Sequence, residues 1–153
     1  MSIADKAIEV AKTQLGVHES AGNKNTGPQV DEYLKAVGLG PGYSWCMAFV
    51  YWCYKQAALQ LAVDNPLAKT GGVLDQWNRR RLHFGNVHPM PGDIFIMDFG
   101  KGTGHTGLVT KVEGLWIYTI EGNSNDEGSR EGYEVCERRR SIVTINKGYL
   151  RFK

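Results

Sequence analysis

Ser44-Trp45-Cys46-Met47-Ala48-Phe49-Val50-Tyr51-Trp52-Cys53-Tyr54-Lys55-Gln56-Ala57 is the stretch from which the rest of the chain is best read. Ser44 is a favoured N-cap, because its hydroxyl can accept a hydrogen bond from an otherwise unpaired first-turn amide. Counted from that cap, Cys46 is the second helical residue, where free amides and the positive end of the helix dipole favour a thiolate. Phe49, Val50, Cys53, Tyr54 and Ala57 follow it at helical spacing and share one face. The stretch predicts a buried helix held by that apolar face, with a reactive group at its entrance.

Upstream, Ser2 and Asp5 form a capping pair for a helix with Ile3, Ala7, Val10, Ala11 and Gln14 on one face, ended by Gly16. Residues 17–27 are polar and read as a loop. Pro28 opens a second helix running to residue 37, with Val30, Tyr33, Leu34 and Val37 inward. Downstream, Asp64-Asn65-Pro66 breaks the chain, and a short helix bearing Val73, Leu74 and Trp77 is closed by Arg79-Arg80-Arg81. That basic last turn complements the helix dipole. Met90-Pro91-Gly92-Asp93 is a turn, and residues 94–99 are the first strand. Residues 105–111 and 115–121 predict a hairpin, and residues 141–146 and 149–152 a second one around Asn146-Lys147-Gly148. Helices first and strands afterwards predict an α+β fold, N-terminal helices packed on a C-terminal antiparallel sheet, in one domain spanning residues 1–153.

Composition narrows the function. A chain of 153 residues can bury one core, and its net charge of +2 gives no global reason to bind nucleic acid or a membrane surface. No apolar run approaches the ~20 residues of a bilayer span. The first residues lack a basic region followed by an apolar core, so no signal peptide is expected and the protein is expected to be made in the cytoplasm. Nineteen glycines exceed the average usage of about 7% and imply many turns. Three cysteines cannot all pair, and Cys46 and Cys53 lie two helical turns apart, too far to bridge. A reducing compartment of synthesis fits.

The first hairpin carries a register argument. With Val112-Glu113-Gly114 as a three-residue loop, Lys111 pairs with Leu115, Val109 with Ile117, Gly107 with Thr119 and His105 with Glu121, while Asn123 continues the same face. A two-residue loop would put His105 and Glu121 on opposite faces. A thiol at a helix start, an imidazole at one strand's beginning and a carboxylate at its neighbour's end form a set for acyl transfer. Sulfur attacks a carbonyl, imidazole moves the protons, and the polar group orients the ring.

Trp45-Cys46-Met47-Ala48-Phe49-Val50, Pro91-Gly92-Asp93-Ile94, Gly104-His105-Thr106-Gly107-Leu108-Val109 and Ile120-Glu121-Gly122-Asn123 resemble, in order, the signatures of the CHAP family of cysteine, histidine-dependent amidohydrolases and peptidases. The resemblance covers roughly residues 16–123. It implies a papain-like fold and cleavage of amide bonds in bacterial peptidoglycan. It also implies roles: Cys46 as nucleophile, His105 as general base and acid, Glu121 as the orienting carboxylate and Asn123 as further polar support. Some members bind calcium through an aspartate-rich loop before the cysteine. Residues 17–27 lack that pattern, so no metal or other cofactor is carried over.

Plainer readings stand beside these. Free cysteines are usually inert core residues, which suits Cys53, and Cys136 receives no role. A zinc site shared by Cys46 and Cys53 fails because the thiols are about 10 Å apart along the helix. His18, His83 and His88 lack neighbours that point to chemistry. Asp98 competes with Glu121 for the orienting role, and Glu121 can equally balance a nearby base. Trp52, Trp77 and Trp116 read as mostly core, and Trp45 either joins them or lines a substrate groove. Arg138-Arg139-Arg140 alternates across a strand, or draws in an anionic wall polymer.

The bond cut stays open between the N-acetylmuramoyl-L-alanine amide and one in the peptide stem or crossbridge. The alternatives are an amidase for a small peptide–polyamine conjugate and a non-catalytic module binding wall fragments or a partner protein. A wall substrate with no export signal implies release by phage lysis or a dedicated secretion machine, the latter with a cognate immunity protein as partner.

Overall fold

The computed structural model describes residues 1–22, 24–122 and 133–153, in the order α1 (Ile3–Thr13), α2 (Pro28–Ala36), α3 (Cys46–Leu61), α4 (Val73–Phe84), β1 (Gly85–Asn86), β2 (Ile94–Gly100), β3 (Thr103–Glu113), β4 (Trp116–Gly122), β5 (Val135–Ser141) and β6 (Gly148–Leu150). The strands form one antiparallel sheet in the order β1-β6-β2-β3-β4-β5. The fold is α+β, as the order of patterns predicts. Asn123 lies outside the described residues.

Each helix buries the apolar face that the spacing predicts, and α1 also takes its predicted cap. Ser2 Oγ accepts from the Asp5 amide (3.1 Å), and Ile3, Ala7, Val10 and Ala11 are buried. In α2, Val30, Tyr33 and Leu34 are fully buried. On α3 the whole face Phe49, Val50, Cys53, Tyr54 and Ala57 is buried. α4 extends one turn beyond the arginine run to Phe84 and carries Arg81 and His83 in its last turn.

Alternation along the strands divides the sheet into two apolar faces. Ile94, Ile96, Leu108, Ile120, Val135 and Leu150 join the core formed with α1, α2 and α3. Phe95, Met97, Val109, Ile117 and Tyr149 make a second core on the other face, with Val112, Ile142 and Ile145 packed against it. His105, Thr119 and Glu121 have the parity of this second face.

Two expectations about the strands need correction. Residues 141–146 and 149–152 do not form a hairpin. Ile142–Thr144 is a 3-10 turn, and β6 pairs with β2 (Ile94 with Leu150, Phe95 with Tyr149) and with β1. Asn146, expected in the turn, instead spends its amide on the backbone of Asp98, accepting from its N–H (2.8 Å) and donating to its carbonyl (2.7 Å).

The β3–β4 loop is two residues, Gly114-Leu115, since Glu113 pairs with Trp116, Val112 with Ile117 and Lys111 with Tyr118. Gly114 supplies the positive φ (59°) that a II′ turn needs at its first position. That loop alone would separate His105 and Glu121. A bulge undoes the separation: Val109 and Lys111 oppose the successive residues Thr119 and Tyr118, so Thr110 is the extra residue. Beyond it Val109 faces Thr119 and Leu108 faces Ile120, and His105 and Glu121 return to one face.

Candidate active site

Cys46 is the first residue of α3, one place earlier in the helix than expected. Trp45, not Ser44, is the N-cap, and it makes no side-chain cap bond. The reason lies in the Trp45 ring. Its indole N–H donates to Glu19 Oε2 (2.7 Å), and the ring stacks on Tyr33 at 5.8 Å between centroids. Glu19 is itself buried, and its other oxygen accepts from the Asn25 amide (3.1 Å). Trp45 is thus wholly inside the core and not on a groove wall, and it anchors the chain just before the thiol. Trp116 also departs from expectation: it is 40% exposed at the hairpin end, with the Arg139 guanidinium 4.0 Å over its ring.

The segment leading to Glu19 is better ordered than a loop. Gly16 and Val17 exchange backbone hydrogen bonds with Val135, the Glu19 amide donates to the Tyr133 carbonyl, and His18 bridges to Glu134. The start of β5 therefore braces the segment that holds Trp45.

α3 packs against β3 and β4. At Gly122, the end of β4, a Cβ would stand 2.5 Å from Phe49 Cβ. The missing side chain lets the first turn of α3, three residues from Cys46, lie directly on the strand that carries Glu121. Cys46 itself is 3% exposed.

On β3, His105 is buried and its Nε2 lies 2.7 Å from Glu121 Oε1. The two are diagonal neighbours. Gly107 is the residue beside Glu121, and a Cβ there would lie 2.7 Å from Glu121 Cγ and 2.8 Å from Phe95 Cε2. Phe95 also meets the imidazole edge-on at 5.8 Å. Gly104 admits α4: a Cβ on it would lie 3.2 Å from Val73 Cγ1 and closer still to the Met97 carbonyl. Both glycines flanking His105 are thus places of close approach.

Glu121 is 1% exposed and its carboxylate is saturated. Oε2 accepts from Thr119 Oγ1 (2.6 Å) and Arg140 Nε (2.6 Å), and Oε1 accepts from Arg140 Nη2 (2.7 Å) as well as from His105. Arg138 Nε stands 3.9 Å away. Burial alone would push this carboxyl up. The Arg140 and His105 hydrogen bonds and charges overcome burial and bring it down to about 2. With Glu121 ionised, His105 Nε2 carries a proton and donates, which puts the lone pair of the neutral ring on Nδ1.

Asp98 does not compete for this position. It accepts from the Gly100 amide (2.8 Å) and pairs with Lys147 (3.7 Å). Cys53 is fully buried, and burial raises its thiol well above its ordinary value. Cys136 is half-buried on β5, directly across from Glu121. Among the described residues no three His, Cys, Asp or Glu side chains are grouped to hold a metal ion, and no helix is long and apolar enough to cross a membrane.

Arg140, Thr119 and Glu19 were not singled out as site residues from the sequence. The signal for Arg140 was its alternation: on a strand beside β4, Arg138 and Arg140 share the face of Thr119 and Glu121. Glu19 carries no such signal, because it sits in a polar stretch.

The CHAP domain family model matches residues 38–123, more than half of the chain. Among solved structures, two of Ly7917 have a similar fold, one of them with the hydrolyzing product of MDP. Each superimposes with a TM-score of 0.51, at 14% and 12% sequence identity respectively. Each match covers 96% of this chain and 60% of the other, so this chain spans well under two thirds of those structures.

Proposed function

Because the chain belongs to the CHAP family, we propose that it is a cysteine amidohydrolase or peptidase that hydrolyses an amide bond of bacterial peptidoglycan, with Cys46 as nucleophile and His105 as base and acid. The observation that carries the reading is the buried His105–Glu121 bond of 2.7 Å on the strands against which the Cys46 helix packs. That bond fixes the ring and its tautomer. His105 Nδ1 takes the thiol proton, and the sulfur attacks the amide carbonyl carbon. The backbone N–H of Cys46, which has no partner within the helix, supports the developing oxyanion. Collapse breaks the C–N bond as His105 returns the proton to the leaving amine. A thioester remains, and water deprotonated by His105 hydrolyses it to a carboxylate and the free thiol. Glu121 keeps its charge throughout and stabilises the imidazolium.

The substrate class rests on the family and on Ly7917, seen with the hydrolyzing product of peptidoglycan-derived MDP. The bond is either the muramoyl–alanine amide or one in the stem or crossbridge. Mass spectrometry of purified peptidoglycan digested by the protein and by Cys46→Ala tests the reading. New fragments absent with the variant are expected, and their masses identify the bond. No fragments from several wall types, with folded protein and reduced thiol, would overturn it.

A further inference from the structure

We propose that Arg140 is a positioning residue: its guanidinium fork fixes both oxygens of Glu121, and through Glu121 it sets the orientation and proton affinity of His105. The proposal rests on the functional reading above and goes further, because it gives a role to a residue that acts through Glu121.

The geometry is specific. Arg140 Nε and Nη2 bind the two carboxylate oxygens at 2.6 and 2.7 Å, the planar two-point match that a lysine cannot make. The guanidinium also lies 5.4 Å from the centre of the Phe95 ring, whose edge meets His105. Arg140 reaches Glu121 from a strand position opposite Ile117, four residues along β4. A side chain drawn that far inward is not simply a charge in water.

Two consequences follow for His105. A buried carboxyl group with only an imidazole beside it would take up a proton more readily, because burial disfavours its charged form. Arg140 keeps it ionised, so that Nε2 always faces an acceptor. The guanidinium is also a second cation beside the same carboxylate, and it opposes a proton on the imidazole. Among the described residues, the charged and titratable groups that face Glu121 are His105 from β3, and Arg140, Arg138 and Cys136 from β5. From β2 the Phe95 ring meets the imidazole edge-on. Arg138 is more exposed and farther from the carboxylate, so of the two arginines Arg140 is the stronger partner.

The test uses no peptidoglycan. The His105 imidazole is titrated by NMR, and the pH profile of Cys46 alkylation by iodoacetamide is recorded, in wild type, His105→Ala, Arg140→Met and Arg140→Lys. In Arg140→Met the His105 midpoint is expected to rise by about one pH unit, since the competing cation is gone. Arg140→Lys keeps the charge and the fold but loses the fork. Its midpoint is expected to stay near wild type while Cys46 alkylation slows several-fold. A wild-type His105 midpoint in Arg140→Met overturns the proposal. If Arg140→Met does not fold, wild-type alkylation in Arg140→Lys overturns it alone. If alkylation is instead indifferent to His105→Ala, the thiol–imidazole pairing fails, and the proposal falls with it.

Discussion

The carboxylate of Glu121 reaches the imidazole of His105 diagonally, across the position on β3 that has no side chain, Gly107. An added methyl at residue 107 would occupy the path of Glu121 Cγ and press on Phe95 at the same time. Gly107→Ala is therefore expected to displace the carboxylate. The cost is about 1–3 kcal/mol of stability and, through misplacement of the imidazole proposed as base, roughly 10²-fold in hydrolysis. Urea unfolding and peptidoglycan digestion rates check the two effects. Wild-type activity in a folded variant would refute the steric argument.

Glu121 makes a pH signature. Its folded-state value, about 2, lies below its ordinary 4.5, so its contribution to stability is complete above pH 4.5 and is lost as the pH falls from there toward 2. Glu121→Gln removes the titrating group. The stability gap between wild type and the variant is expected to be widest near neutrality and to narrow by about 3 kcal/mol across that acid window. Urea midpoints at successive pH values measure it. A gap that stays constant with pH would show that the carboxylate is not held down in the folded state.

Glu19 is expected to matter through Trp45. Glu19→Ala leaves the indole N–H buried without its acceptor, which costs about 1–3 kcal/mol. Glu19→Gln keeps an acceptor and is expected to lose less. Thermal unfolding ranks the two, and near-UV circular dichroism follows the Trp45 ring. Equal stability of the two variants would mean that the hydrogen bond is not the anchor.

The three cysteines are expected to separate in native alkylation. Cys46, at a helix start beside the imidazole strand, reacts first. Cys136, half-buried and with its thiol raised by burial, reacts slowly. Cys53, sealed in the core, reacts only after unfolding. Peptide mapping after timed iodoacetamide exposure gives the order, and early labelling of Cys53 would contradict the burial of the α3 face.

The helices and most strands were legible because their signals are local: apolar spacing, caps and turn residues. The grouping of His105 with Glu121 was legible too, but through an incorrect register. A three-residue loop and a two-residue loop plus a bulge at Thr110 give the same face, and nothing in Val109-Thr110-Lys111 marks the extra residue. Alternation puts Arg138 and Arg140 on one face of their strand, but which face is turned inward is not readable until β4 is laid beside them. The place of β6 was not readable at all. Its partners, β1 and β2, lie more than fifty residues earlier, and no periodicity reports a pairing across that distance.

That pairing bears on the order in which the molecule can assemble. β6 is wedged between β1 and β2, and Arg151, just after it, clamps the buried Asp93 in the turn before β2 with two bonds of 2.8 Å. A chain emerging from the ribosome can therefore join β2 through β5 early, yet it has an open seam until residues 148–151 arrive. A nascent chain arrested before Gly148 is expected to be cut by protease where the complete one resists. The sheet that carries His105 and Glu121 would then close only once residues 148–151 have been made.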